Sequence, residues 1–378
     1  DLDFGDAARG VSRRQLHLTE RQQSFALPAA TRPVFVVVDP DMRIVGEVRI
    51  KAPGDMLRAQ LAGAPTARGR WLAAQALSRV DDPLTIAALA AVIGDDQAFW
   101  GLRGECASAL GRIRGRASFE ALKGVRSAAH PKVRRAVVEA LGHFRSTEAM
   151  ELVKVPALRD ESYLVEAEAA RALGRTRQTA ALDVLVDLLG RPSWFDVVRV
   201  GAIDGLAALR DDRALPHLGA RVRYGQPQRV RRAAIMSLPK LAGDRRTREA
   251  LETLLDDPDP ILRIDVVRAL GELADTKARP ALRERLEVDL DARVRRRIRE
   301  VLRDLAEPRR AAEAVREDLE KLQGEHADLK VRLAKIEARF ANDVADPKAG
   351  PAAAPKKAPK EGGATASKKK PPARRKKP

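Results

Sequence analysis

One period constrains this chain more than anything else in it. Leucine recurs at Leu77, Leu110, Leu141, Leu173, Leu206, Leu238, Leu270 and Leu302, at intervals of 31 to 33 residues. Seven positions ahead of these leucines stand Arg70, Arg103, Arg134, Arg199, Arg231, Arg263 and Arg295; only Glu166 breaks the series. Apolar residues fall at the leucine and at three, four and usually eight positions before it, as in Leu262, Val266, Val267 and Leu270. That is a single stripe at helical spacing. A shorter, less regular helix precedes each of these, for example across 179–189 or 248–255. Neither helix of a pair can bury its stripe alone, so pairs must stack and share one core. The expected fold is mainly α: an α-solenoid of about eight two-helix units across residues 52–307.

Punctuation and composition agree with this. Gly111, Gly142, Gly174 and Gly271 directly follow closing leucines, where a left-handed cap would end a helix. Pro131, Pro258 and Pro260 lie just before second helices, where proline is tolerated. Aromatics make up only 3% of the chain, and the small apolar residues that fill the stripe suit close helix packing. The single cysteine, Cys106, sits on the stripe four before Leu110 and reads as a buried small hydrophobe. One cysteine permits no internal disulfide, which leaves the redox compartment open; the cytoplasm is the expectation carried forward.

Residues 1–51 do not follow the period. Pro33-Val34-Phe35-Val36-Val37-Val38 is a β-branched run, 44–50 alternates through Ile44, Gly46, Val48 and Ile50, and Asp39-Pro40-Asp41-Met42 between them has turn chemistry. A β-hairpin is expected there, with a further strand around 24–27. So few strands make no independent domain, and the segment reads as the remnant of a β-sandwich. The first residue is Asp1 and not methionine, so further sequence is expected ahead of it.

The run Phe25-Ala26-Leu27-Pro28, followed by Pro33 through Val45, resembles the last strands of the β-sandwich in M1-family zinc aminopeptidases. Ala52-Pro53-Gly54-Asp55-Met56-Leu57, then Arg68-Gly69-Arg70-Trp71, is similar to the join between that sandwich and the family's C-terminal helical repeats. The matching stretch covers roughly residues 20–80. Beyond it the Val-Arg…Ala…Leu-Gly pattern of the second helices resembles HEAT repeats. The resemblance implies a parent enzyme that removes N-terminal residues from peptides with zinc-activated water. Its zinc would be held by a His-Glu-x-x-His helix and a downstream Glu, upstream of this region. That motif is absent from these residues, so no catalytic or metal-binding position carries over, and no cofactor is expected within the chain.

The histidines agree with that. His17, His130, His143, His217 and His326 are scattered, with no pair four apart around a glutamate, the usual trace of a zinc helix. Gly-rich phosphate loops and a Gly-x-Ser-x-Gly elbow are likewise missing.

The arginine series supports two readings. Stacked at one repeat position, each Arg could pair with an acid of its own or the next unit, among Asp82, Asp96, Asp160, Asp211 and Asp257, and the planar fork suits that role. Alternatively the ladder forms a basic surface for nucleic acid or an acidic peptide. The first is preferred, because acidic turn residues recur with the repeat and Trp71, Trp100 and Trp194 share no repeat position for base stacking.

After Pro308 the period changes. Val315, Leu319, Leu322, His326, Leu329, Leu333, Ile336 and Phe340 alternate spacings of four and three, a heptad seam flanked by charges. A coiled coil, dimeric or folded back as a capping helix, is expected over 308–340. Residues 341–378 carry eleven Lys and Arg against Asp343, Asp346 and Glu361, a balance of +8 out of +18 for the chain. With Pro and Ala filling the rest, this reads as a disordered basic tail. Lys368, Lys369, Lys370, Arg374, Arg375, Lys376 and Lys377 are its candidate contacts to a polyanion, nucleic acid or an anionic surface. No stretch is long and apolar enough for a membrane span.

Two function classes remain. In one the chain is the C-terminal HEAT-like region of an M1-like aminopeptidase, shaping substrate access or binding partners. In the other it is a non-catalytic interaction scaffold that binds protein or peptide through the solenoid. A His-Glu-x-x-His motif a few hundred residues upstream of Asp1 would discriminate them. In either case, deleting residues 342–378 is expected to remove most binding to duplex DNA and most of its salt dependence, because the tail's contacts are phosphate neutralisation alone. Fluorescence anisotropy across a salt series measures this, and unchanged binding would move the site onto the solenoid.

Overall fold

A computed structural model describes residues 1–6, 10–29 and 31–306, with six further positions between 319 and 330. Two compact units result, Asp1–Pro308 and Arg309–Pro378. In the second unit, Leu319, Leu322, Gln323, His326, Leu329 and Lys330 are helical and exposed. The rest of the heptad stretch, and the tail with Lys368, Lys369, Lys370, Arg374, Arg375, Lys376 and Lys377, lie outside the described residues.

The first unit is the solenoid. Its eight first helices, seven of them shorter than the helix that follows, are α1 (Gly54–Gly63), α3 (Pro83–Gly94), α5 (Arg116–Gly124), α7 (Thr147–Arg159), α9 (Ala181–Leu188), α11 (Leu215–Arg221), α13 (Arg245–Thr253) and α15 (Arg279–Val288). Each is followed by a second helix: α2 (Ala67–Leu77), α4 (Trp100–Ile113), α6 (Pro131–Leu141), α8 (Tyr163–Arg175), α10 (Val197–Leu209), α12 (Gln228–Leu241), α14 (Pro260–Leu273) and α16 (Ala292–Asp304). Helix starts follow from local chemistry. Thr66, Asp82, Ser146, Asp244, Asp259 and Asp291 accept hydrogen bonds from first-turn N–H groups, and Pro131 and Pro260 occupy first helical positions. One apolar core runs from Leu57 to Leu305 and takes in the closing leucines, with Leu302 at its edge. Cys106 lies wholly inside it, where burial pushes the thiol up to about 12. Among the described residues no helix is long and apolar enough to cross a membrane.

The glycines after the closing leucines do a different job from the expected one. Gly111, Gly174 and Gly271 lie inside their helices, and Gly142 caps α6 with ordinary right-handed backbone. None adopts a positive φ. What they provide is close approach: a Cβ on Gly142 would sit 2.8 Å from Ala172 Cα, and one on Gly174 would overlap the carbonyl of Gly205 in the next second helix. The left-handed residues come later, at Arg114, Arg177, Arg210 and Ala274.

Ahead of the solenoid is a three-stranded antiparallel sheet, β1 (Leu2–Asp6), β2 (Gly10–Arg14) and β3 (Phe35–Val38), in the order β2-β1-β3. Strand β3 lies where the β-branched run predicts, but its partner is β1, and residues 24–27 and 44–50 form no strand. The expected hairpin fails at its turn. The Asp39 carboxylate accepts the N–H groups of Arg43 and Ile44, at 2.8 and 3.1 Å, and so takes donors that a returning strand would need. The alternation of β3 still decides its face: Phe35 and Val37 point inward and pack with Ala64, so the sheet covers the N-terminal end of the solenoid.

Gly174→Ala is expected to destabilise the protein by roughly 1–3 kcal/mol through overpacking of α8 against α10. Gly219→Ala, where the new Cβ meets open space on a helix, is expected to stabilise by about 0.4–1 kcal/mol. Thermal or urea denaturation of the two variants checks the pair.

Candidate functional site

The ladder arginines leave the first turns of the second helices and reach back to the ends of the first helices. Arg70 Nε donates to the Leu61 carbonyl at 2.7 Å, Arg103 Nε to Ile93 at 2.8 Å and Arg231 Nε to Val222 at 2.9 Å. These carbonyls at the end of a helix have no intrahelical donor, so each guanidinium satisfies what the helix leaves open. In most units the rest of the fork finds a carboxylate. Arg134 takes Asp160 with two bonds of 2.9 Å, Arg263 takes Asp289 at 2.7 and 3.0 Å, and Arg231 pairs with Asp257. In all three the acid stands 26 residues on, between the helices of the next unit. Arg103 and Arg199 instead take Asp96 and Asp196, at 2.7 and 2.8 Å, within their own units. Arg295, in the last described second helix, is exposed. Of the expected acids, Asp82 pairs with Arg58 and Asp211 with Arg213. Burial alone would raise the Asp289 carboxyl, but the Arg263 and Arg285 guanidiniums and the Asp291 N–H outweigh it and hold it below the usual carboxylate range.

Glu166 does not leave a gap in the ladder. Arg191, from the loop between the helices of the next unit, donates to Glu166 Oε1 at 2.6 Å and to the Leu158 carbonyl at 2.7 Å. The pair is the ladder pair with its charges exchanged: the acid is on the second helix and the arginine 25 residues on. The guanidinium still caps the end of a first helix, α7. Burial pushes the Glu166 carboxyl up, with Arg191 opposing it and Asp160 adding to it.

A second basic row, which the sequence reading did not single out, lies at the opposite ends of the second helices. Arg114, Arg145, Arg177 and Arg210 each stand four residues after a closing leucine. Among the described residues none of the four makes an ion pair with a carboxylate. Three of them carry left-handed backbone, Arg114 at φ 59°, Arg177 at φ 58° and Arg210 at φ 56°. Such backbone costs a residue other than glycine on the order of 1–3 kcal/mol. A cation near a helix C-terminus gains only about 0.3–1 kcal/mol from the helix dipole. Burial lowers the Arg177 pKa, and its like-charged neighbours Arg210 and Arg145 lower it further. His143 is depressed in the same way, by burial and then by Arg175, Arg114 and Arg112. A recess of about 350 Å³ opens among Arg171, Arg175, Arg177, Arg210 and Lys240 over Ala207 and Ala208, with Asp204 and Ser237 also on its wall.

The ladder edge also carries exposed aromatics. Trp100 and Tyr163 begin α4 and α8, Trp194 and Phe195 form a turn just before α10, and Tyr224 precedes α12. Trp194 is 68% and Tyr224 83% exposed. Cations lie over these rings: Lys132 Nζ 3.9 Å from the Trp100 centroid, and Arg229 5.8 Å from that of Phe195. Trp100 and Trp194 thus share an edge although their repeat positions differ, while Trp71 packs against the core. Among the described residues no three His, Cys, Asp or Glu side chains converge to hold a metal ion.

Comparison with known proteins agrees with this architecture. Residues 121–207, 155–239 and 225–303 match HEAT repeats. The fold is a HEAT-like α-solenoid. Human deoxyhypusine hydroxylase, solved in complex with glycerol, is similar at 20% identity and a TM-score of 0.32, over 67% of this chain and 96% of that one. The complex of CpcE and CpcF of phycocyanin lyase from Nostoc sp. PCC7120 is similar at 19% identity and a TM-score of 0.36, over 70% and 98%. No curated protein matches.

Glu166→Arg alone is expected to cost roughly 2–4 kcal/mol, because it sets two guanidiniums together; the loss falls short of a wholly buried pair since Arg191 is partly exposed. Adding Arg191→Asp restores the charge order of the neighbouring units and is expected to recover at least half of the loss. A double-mutant cycle on urea midpoints reads the coupling, and strict additivity would show that the two side chains do not act as a unit.

Proposed function

We propose that the chain is a protein-interaction scaffold. The observation that carries this is the ladder edge, where Trp100, Tyr163, Trp194, Phe195 and Tyr224 stand exposed along one rigid stack of helices. Large aromatic side chains held by a fixed backbone lose little conformational freedom on binding and are the residues that most often dominate interface energy. The HEAT-like fold supports the same reading. The ladder arginines are read as structural, since most already have carbonyl and carboxylate partners. The tail remains the candidate for non-specific polyanion contact. The finer reading, in which this scaffold belongs to an M1-like aminopeptidase, is supported by the resemblance over roughly residues 20–80 alone, and the comparisons add nothing to it.

A photo-crosslinking residue in place of Trp194 or Tyr224, installed in the native host, tests the scaffold reading. A discrete protein adduct is expected at both positions and not at Glu249 on a first helix. Equal, diffuse labelling at all three positions would overturn it.

A further inference from the structure

The paired ladder and the unpaired row have opposite implications. A guanidinium already held by a carbonyl and a carboxylate has little left to offer a ligand. Arg114, Arg145, Arg177 and Arg210 have no carboxylate partner, recur at 31, 32 and 33 residues, and line the stacked ends of four consecutive second helices. Lys240 extends the row around the recess beside Arg177 and Arg210, while Arg175 on the same rim is held by Glu168.

We infer that this row binds an extended acidic segment of a partner protein, with successive carboxylate side chains each meeting the arginine of a successive unit. The inference deepens the scaffold reading, and rests on it, by naming the chemistry of one partner. Three observations argue for it. The first is backbone: a position where glycine is at ease is occupied by arginine in three units, against local preference. Strain of that kind points from an observed outlier to a use for the side chain. The second is spacing. Packed helices stand about 8–10 Å apart, and an extended chain advances about 3.3 Å per residue, so every third residue of an extended partner reaches a new unit. The third is chemistry. The planar fork of arginine binds a carboxylate with two parallel hydrogen bonds, and the recess over Ala207 and Ala208 has room for a side chain.

A nucleic acid fits this edge less well. The exposed aromatics that could stack bases, Trp100, Trp194 and Tyr224, belong to the opposite edge. Glu105, Glu168 and Asp204 lie within the row and pair with Arg112, Arg175 and Arg171. These acids break the continuous positive potential that a phosphate backbone follows, while the four row guanidiniums keep no carboxylate among the described residues, Arg177 reaching only the Leu209 carbonyl at 3.4 Å.

The test uses the whole chain and a fluorescein-labelled peptide with glutamate at every third position, read by anisotropy at low salt. In the row variant Arg114→Gly/Arg177→Gly/Arg210→Gly, glycine relieves the left-handed backbone, so a melting temperature no lower than that of the parent chain is expected. Peptide affinity is expected to fall roughly tenfold, the combined effect of three exposed charge contacts. A control removing equal charge elsewhere, Arg21→Gln/Arg126→Gln/Arg223→Gln, is expected to change affinity less than about twofold, and it corrects for attraction to the basic tail. If the glycine variant melts early, Arg145→Gln/Lys240→Gln, on ordinary backbone, carries the same comparison. Equal losses in row and control variants would overturn the proposal. So would a row variant that loses affinity for a duplex DNA probe while still binding the peptide, which would make the edge a nucleic-acid surface. Because the probe is synthetic and the ladder edge is untouched, a failure here is separable from a failure of the crosslinks at Trp194 and Tyr224.

Discussion

The closeness with which consecutive second helices approach one another governs the rest of this solenoid. Gly111 faces Ala140, Gly142 faces Ala172, Gly174 faces the backbone of Gly205, and Gly205 in turn faces Ala170. With side chains this small, the helices meet nearly backbone to backbone, and the apolar stripes of successive units merge into one core. A bulkier residue at any of these points would change the stacking distance locally and break the regular rise. That regular rise is what allows a side chain of one unit to find the same partner in the next, so the electrostatics of the surface are set by packing in the interior.

The ladder shows the consequence. A guanidinium on the second helix spans two gaps at once, from a carbonyl at or beyond the end of its own first helix to the turn of the following unit. Arg134, Arg231 and Arg263 make this bridge, each with an aspartate 26 residues on. It answers the two demands that end every first helix, open carbonyls and a loop that has to be held. At Glu166 the charge on the helix is reversed, yet Arg191 restores both contacts from the other side of the junction. The feature that recurs at these junctions is therefore the position of the guanidinium, supplied by the second helix in three units and by Arg191 in the loop of another.

How much of this could be read in the chain depends on range. The period, the two-helix unit and the buried leucines follow from local apolar spacing, and they match the structure helix by helix. The partners Asp96, Asp160 and Asp257 were legible because they recur with the period; Asp289 was not separated from other acids near the last unit. The β-hairpin failed because strand pairing is non-local: nothing in Phe35 through Val38 distinguishes β1 from residues 44–50 as a partner, and the Asp39 carboxylate decides by occupying backbone donors. The glycines were misread because a Gly after a leucine looks the same whether it ends a helix or lets a neighbour approach. The shared edge of Trp100 and Trp194 was hidden by loop lengths that shift their positions relative to Leu110 and Leu206.

A repeat protein places each residue against its own kind, and this explains why the two arginine rows differ. A charge that recurs once per unit meets the same charge in the units above and below, so the row repels itself unless a complementary charge recurs at another phase. The ladder has such a complement, the aspartates 26 residues on, and where the arginine becomes Glu166 the complement becomes Arg191. The row from Arg114 to Arg210 has none: one unit on from Arg114, Arg145 and Arg177 stands another arginine. Arg177 and His143 are depressed first by burial and then by the like charges around them. Counting arginines does not separate the two edges. What separates them is whether an acid keeps step with the base, and on the second edge the acid we infer belongs to a partner protein.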